Sequence, residues 1–204
     1  MAHILHIDSS PRGDRSVSRT VSKDFIAAWK QSHPDDTVAY RDLGHHPVPH
    51  VDEPWIAAAF TPPQNRTEEL NQAIALSDAL VDEFLAAERY VFGVPMYNLS
   101  IPSTFKAYID QIVRVGRTFA VTEQGLAGLV DNSKKMLVIT ARGGSYEQGT
   151  PAASYDLQEP YIRSIFGFVG ITDITFIHVD NLNSDADKSL DNAQGTIEQV
   201  LGSW

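Results

Sequence analysis

Three short loops in this chain concentrate the residue types that could do chemistry, and each follows a short apolar segment. The first, Ser9-Ser10-Pro11-Arg12-Gly13-Asp14-Arg15-Ser16-Val17-Ser18, carries four hydroxyls and opens a segment of helical spacing. Hydroxyls beside a helix N-terminus, where the first N–H groups lack intrahelical acceptors, suit an anion such as a phosphate. Read alone, Ser16 is equally an ordinary N-cap. The second loop, Pro95-Met96-Tyr97-Asn98-Leu99-Ser100-Ile101-Pro102, is stiffened by a proline at either end, with an aromatic ring and a carboxamide between them. That composition suits a flat heteroaromatic ring, gripped by stacking and hydrogen bonds. The third, Thr140-Ala141-Arg142-Gly143-Gly144-Ser145-Tyr146, has paired glycines that let backbone amides approach a ligand closely. Each of these two also reads as a plain connection, and only their meeting at one sheet edge would be specific. Neither a P-loop nor a G-x-G-x-x-G fingerprint is present, and no G-x-S-x-G elbow supports a hydrolase.

These loops need a scaffold, and the hydrophobic pattern supplies one. Residues 3–8 are apolar and β-prone and predict a strand ending at the first loop. From Ser16 onward Val17, Val21, Phe25, Ala28 and Trp29 recur at helical spacing, predicting an amphipathic helix that ends near His33-Pro34. Residues 37–40 predict a second strand, followed by a loop carrying Pro47, Pro49 and Pro54. The stripe Leu70, Ala73, Ile74, Ser77, Leu80, Val81, Phe84 and Leu85 predicts the longest helix over 67–87, with no Gly or Pro to interrupt it. Residues 90–94 and 136–139 are nearly continuous apolar runs, as in strands covered on both faces. Between them Ser103 as N-cap and Gly116 as terminator frame a helix carrying Phe105, Tyr108, Ile109, Ile112 and Val113. A hairpin over 118–121 and 125–128 is expected in the polar insertion that follows. Residues 157–168 predict a helix proper from about Pro160, residues 172–179 a strand, and Ala186 to Val200 a last helix. Strand and helix thus alternate five times, which predicts an α/β three-layer sandwich. Its five-stranded parallel sheet carries helices on both faces, and residues 1–204 form one domain. Ligands of such sheets bind beyond the carboxyl ends of the strands, where all three loops fall.

Composition narrows the function. The chain has 16 Lys+Arg against 26 Asp+Glu and a formal net charge of -10, which argues against a nucleic-acid partner. It has no cysteine, which excludes disulfides, thiolate metal sites and a cysteine nucleophile, so redox chemistry would need a bound cofactor. The N-terminal residues lack a cationic, apolar leader pattern, and no apolar stretch approaches the ~18 residues of a membrane span. A cytoplasmic protein without a membrane partner is expected. His45-His46-Pro47-Val48-Pro49-His50 gathers three imidazoles, but in a proline-constrained loop rather than at metal-ligand spacing, so a surface loop and no metal is expected.

Taken together, the loops resemble the FMN-dependent NADH-azoreductase family of flavodoxin-like proteins. The resemblance rests on Ser9-Ser10-Pro11-Arg12 with Ser16-x-Ser18, on Pro95-Met96-Tyr97-Asn98 with Ile101-Pro102, and on Arg142-Gly143-Gly144-x-Tyr146. Lys106-Ala107-Tyr108-Ile109-Asp110, Gly116-x-Thr118-Phe119 and Gln158-x-Pro160-Tyr161 extend it, and it runs from the first strand to the last. It departs at Leu99, where the family often carries phenylalanine, which bears on the substrate pocket rather than the flavin site. The resemblance implies a flavodoxin-like fold, bound FMN and NADH as electron donor. Ser10, Ser16, Val17 and Ser18 would cradle the FMN phosphate. Pro95, Met96, Tyr97, Asn98 and Leu99 would line the isoalloxazine ring, and Thr140, Ala141, Arg142, Gly143 and Gly144 would bring backbone groups to its other side. Leu99, Phe119, Tyr146 and Tyr161 would line the substrate pocket, which in family members lies at a homodimer interface. The implied reaction is a ping-pong two-electron transfer from NADH to a quinone or an aromatic azo compound, with no catalytic side chain on the reaction path. The alternative is a flavodoxin-type electron carrier without NADH reactivity, although flavodoxins typically show a T-x-T-G-x-T loop where this chain has Ser-Ser-Pro-Arg.

Overall fold

A computed structural model describes all 204 residues. The chain runs through β1 (His3–Asp8), α1 (Val17–Ser32), β2 (Thr37–Asp42), α2 (Glu53–Phe60), α3 (Glu68–Ala86), β3 (Arg89–Pro95) and α4 (Ser103–Ile112). It continues through β4 (Phe119–Thr122), β5 (Gly125–Gly128), β6 (Lys135–Ala141), α5 (Glu159–Val169), β7 (Asp173–Val179) and α6 (Ala186–Leu201). Five strands form one parallel sheet in the order β2-β1-β3-β6-β7, and β4 and β5 pair separately as an antiparallel hairpin. After β1 the chain turns out to the edge strand β2, then crosses back to β3 on the other side of β1. The connections leaving β1 and β3 therefore diverge, opening a crevice at the carboxyl ends of these two strands.

Alternation along the strands divides the core in two. Ile4, Val91, Leu137, Ile139 and Ile177 face α1 and α6, packing on Phe25, Trp29, Ala193 and Ile197. Leu5, Ile7, Phe92, Val94 and Val138 face the opposite layer, where Phe84, Phe105, Tyr108 and Phe166 come from α3, α4 and α5. Central strands buried on both sides are why 90–94 and 136–139 read as unbroken apolar runs. The flavodoxin-like three-layer fold expected from the sequence is the one observed.

Three local expectations are corrected. The proline-bearing segment after β2 is not all loop, because α2 forms there: Asp52 caps it by accepting from the Trp55 amide. Pro54 sits in the first turn, where a missing N–H costs nothing. Ser103 is not the cap of α4; that place belongs to Pro102, and Ser103 is the first helical residue. Gly116 does not close α4, which ends at Ile112; it occupies a turn beyond, with φ of 74° and its amide donating to the Phe119 carbonyl at 2.7 Å.

Candidate functional site

The loop after β1 forms the floor of the crevice. Ser16 caps α1, its hydroxyl accepting from the Arg19 amide and lying 3.2 Å from the Ser18 hydroxyl, and both serines are buried. As the first helical donors, the Val17 and Ser18 amides have no intrahelical acceptor and carry the positive end of the helix dipole. The Ser10 hydroxyl accepts from the Arg12 amide at 3.3 Å and stands 3.5 Å from the Tyr97 hydroxyl. Ser9, by contrast, spends its hydroxyl on the Gly93 carbonyl at 3.0 Å, so it braces the strand end instead of facing a ligand. A cavity of about 160 Å³ opens over this floor, walled by Pro95, Met96 and Tyr97 on one side and Ala141, Arg142 and Gly143 on another. The expected loops do meet.

The second loop is a tight reverse turn rather than an open connection. The Tyr97 amide donates to the Ser100 carbonyl at 2.9 Å and the Ser100 amide to the Tyr97 carbonyl at 3.1 Å. Both central residues adopt left-handed backbone, Asn98 at φ of 48° and Leu99 at 70°. Asparagine tolerates that region, whereas leucine is disfavoured there, so the turn is held by its surroundings. One restraint is the Leu157 amide, which donates to the Leu99 carbonyl at 3.1 Å. Replacing Leu99 with valine, whose β-branch is least tolerant of positive φ, is expected to cost about 1–3 kcal/mol in urea denaturation. An unchanged midpoint would show that the turn is not held left-handed.

The third loop is fastened by its arginine. The Arg142 side chain is 1% exposed, with Nε and NH2 donating to Asp180 at 2.5 and 2.8 Å and NH1 to Asp156 at 3.0 Å. Its backbone is equally occupied, the amide by the Val179 carbonyl and the carbonyl by the Leu182 amide. Thr140 and Ala141 sit in register between β3 and β7, and the Thr140 hydroxyl pairs with His178 Nδ1 at 2.8 Å. From Gly143 to Tyr146 the amides donate to no acceptor within the protein, and of these residues Gly143 lines the cavity. A Cβ at Gly143 would meet the Asn183 carboxamide, which would have to swing aside to admit it.

The residues expected around a substrate divide. Tyr161, from α5, shares a second cavity of about 560 Å³ with Tyr97, Asn98 and Lys106, on the outer side of the strained turn. Burial, with help from nearby Asp110, pushes its phenol up to about 12, so it remains a proton donor at neutral pH. Tyr146 lies on the far side of the glycine pair, its ring 5.5 Å from the Arg142 guanidinium, facing His178 and Glu159. Burial, then the Arg142 cation, pull His178 below its ordinary value despite its 2.8 Å contact with Glu159. Phe119 lines neither of the two cavities at the turn; it packs on Phe168 with ring centres 4.9 Å apart and the rings tilted by 48°.

Two lining residues escaped sequence reading. Leu182 and Asn183 close the cavity from the loop after β7, where Asn181 at φ of 58° reverses the chain and the Asn183 amide donates to the Gly143 carbonyl at 3.2 Å. The only local signal was the turn-prone run Asp180-Asn181-Leu182-Asn183. A larger cavity, about 740 Å³, lies behind the first loop between α1 and β2, and at its inner wall Arg19 pairs with Asp42, Asp42 with His45, and Tyr40 with Asp8.

A doubly wound parallel sheet with a cavity at its switch point, floored by a helix N-terminus and walled by a tight turn, defines a flavodoxin-like protein. The chain belongs to the flavodoxin-like fold family, whose sequence model matches residues 2–201. It is 67% identical over 207 residues to FMN-dependent NADH:quinone oxidoreductase 2 of Trichormus variabilis, with 100% of both chains covered. It is 62% identical over 206 residues to FMN-dependent NADH:quinone oxidoreductase of Nostoc punctiforme, again with 100% of both covered. Among solved structures, an FMN-dependent NADH-azoreductase from Bacillus anthracis in complex with FMN gives a TM-score of 0.91 at 28% identity, covering 99% of this chain and 98% of that one. Another Bacillus anthracis azoreductase gives 0.88 at 33% identity, with 99% and 98% covered.

Proposed function

We propose that this protein is an FMN-dependent NADH oxidoreductase that reduces quinones to hydroquinones and cleaves aromatic azo compounds. The observation that carries this reading is the meeting of free helix-end amides and buried hydroxyls with the strained Tyr97–Ser100 turn, in a chain so similar to named NADH:quinone oxidoreductases. The residues present fit the cofactor. Ser10, Ser16, Val17 and Ser18 offer hydroxyl and amide donors to a phosphate, and the adjoining cleft is walled by one aromatic and several apolar side chains. The chemistry supplied by bound FMN is hydride acceptance from NADH and return of two electrons to the acceptor.

The chain's own part is to hold and to tune. Pro95, Met96 and Tyr97 would form one wall for the flat ring, and the left-handed turn would hold Asn98 at the adjoining outer cavity. The free amide of Gly143, on the opposite wall, would be a hydrogen-bond donor to the bound ring, with the Gly144 amide next to it. The Tyr161 phenol, protonated at neutral pH, is placed beside the turn as a hydrogen-bond donor to an incoming carbonyl or azo nitrogen. In this reading the working form is a cytoplasmic homodimer of single-domain subunits, and Phe119, which lies off the cavity of its own subunit, joins the site across the interface.

The direct test is an anaerobic visible spectrum of FMN-reconstituted protein before and after one equivalent of NADH. Bleaching that a benzoquinone reverses is the expected result. Bound flavin that neither NADH nor NADPH bleaches would turn the reading to an electron carrier, and failure to bind FMN would overturn it.

A further inference from the structure

Arg19 is the third residue of α1, where the helix dipole disfavours a cation, yet its side chain is only 11% exposed and fully engaged. Nε donates to the Ser10 carbonyl at 2.7 Å, and NH1 donates to the Tyr40 hydroxyl at 3.0 Å and to Asp42 at 2.9 Å. NH2 reaches the other Asp42 oxygen, closing a bidentate pair. Because the guanidinium is planar and rigid, these bonds set the position of the Ser10 carbonyl relative to the end of β2. The backbone is drawn in to match: a Cβ at Gly44 would overlap both the Ser10 carbonyl oxygen and the Arg19 guanidinium. Ser10 in turn carries one of the hydroxyls that face the cavity.

Charge gives a second reason for the arrangement. Asp8 and Asp42 end two adjacent strands beside the first loop, and Asp8 is 3% exposed. Arg19 pairs with Asp42 and stands 3.9 Å from Asp8. Burial alone would raise the Asp42 carboxyl, but hydrogen bonds from Arg19 and His45 outweigh it and hold the carboxyl well below the usual range. Without Arg19 the two carboxylates behind the first loop would keep no guanidinium, only the His6 and His45 imidazoles beside them.

We propose that Arg19 is a positioning residue for the phosphate cradle, acting through the Ser10 carbonyl and the Asp8 and Asp42 carboxylates rather than by touching the anion. This rests on the reading that Ser10 and residues 16–18 hold the phosphate of FMN, and the test separates the two ideas. The full-length chain, freed of flavin, is titrated with FMN and with riboflavin, which has the same ring and no phosphate. The wild type is expected to bind FMN far more tightly. Arg19→Gln is expected to raise the Kd for FMN by about 10- to 100-fold and that for riboflavin by less than about 2-fold, the scale of lost charge-assisted bonds confined to one end of the ligand. Arg19→Lys, which keeps the charge but not the fork, should fall between. A glutamine variant with the wild-type ratio of the two constants overturns the positioning role while leaving the cradle intact. A wild type that binds both flavins equally overturns the cradle and this role together. Should the glutamine variant fail to fold, Arg19→Lys is read in its place, and a wild-type ratio there overturns the proposal equally.

Discussion

Ser16→Asp is expected to abolish FMN binding while leaving the chain folded. Aspartate is as good an N-cap as serine, so the first turn of α1 keeps its side-chain acceptor. A carboxylate at a helix N-terminus also gains about 0.3–1 kcal/mol from the dipole and accepts from the free amides of the first turn, which together reduce the cost of its burial. The same carboxylate stands where the phosphate must sit. Two charges about 4 Å apart at a protein surface repel by roughly 4 kcal/mol, and the phosphate carries more than one charge, so a loss of at least ~1,000-fold in affinity follows. Isothermal titration with FMN measures the affinity and a thermal melt of the flavin-free chain measures the fold. Binding within tenfold of the wild type would remove Ser16 from the phosphate site. Loss of both binding and melting temperature would mean that the serine hydroxyl itself is structural.

The second large effect is expected at Arg142. Replacing it with methionine keeps most of the volume but leaves Asp156 and Asp180, 11% and 12% exposed, without their shared cation. Breaking a buried pair from one side costs about 3–5 kcal/mol, because the remaining charge keeps its desolvation penalty. Here two carboxylates are stranded, and the loop they fasten carries the Gly143 and Gly144 amides. Urea denaturation of the flavin-free protein should show the full loss, and adding Asp180→Asn should restore part of it. A loss below 1 kcal/mol, or no recovery in the double variant, would mean that water satisfies these carboxylates already.

How much of this was legible in the sequence depends on the range of the interaction. Strands β3 and β6 were readable because burial on both faces leaves one signal, an unbroken apolar run. Helix α3 was readable because its stripe is long and uninterrupted. Helix α2 was missed because three nearby prolines read as breakers, while only the position of Pro54 in the first turn decides that it is harmless. The Ser103 expectation failed for a similar reason: a capping residue is defined by backbone geometry, and composition alone does not say which of two adjacent residues turns first. Within the site, the serines, the proline-framed turn and the glycine pair were visible by type. That Ser9 would be consumed by the Gly93 carbonyl was not, since its partner lies 84 residues away.

The sequence by itself determined the alternation of strands and helices, the placing of hydroxyls, an aromatic turn and glycines at strand ends, and the exclusion of cysteine chemistry. All of these follow from residue type and from periodicities of two and 3.6, which act over a few residues. The tertiary structure alone decided that the loops after β1, β3, β6 and β7 meet, because strand order brings together segments from opposite ends of the chain. It also decided what each side chain is free to do. The sequence leaves the Arg142 side chain without a partner, and only the fold brings to it the carboxylates 14 and 38 residues away. Leu99 looks ordinary until its neighbours hold it left-handed. A residue's type sets the bonds it is able to make, and only the packed chain sets which partners come within reach.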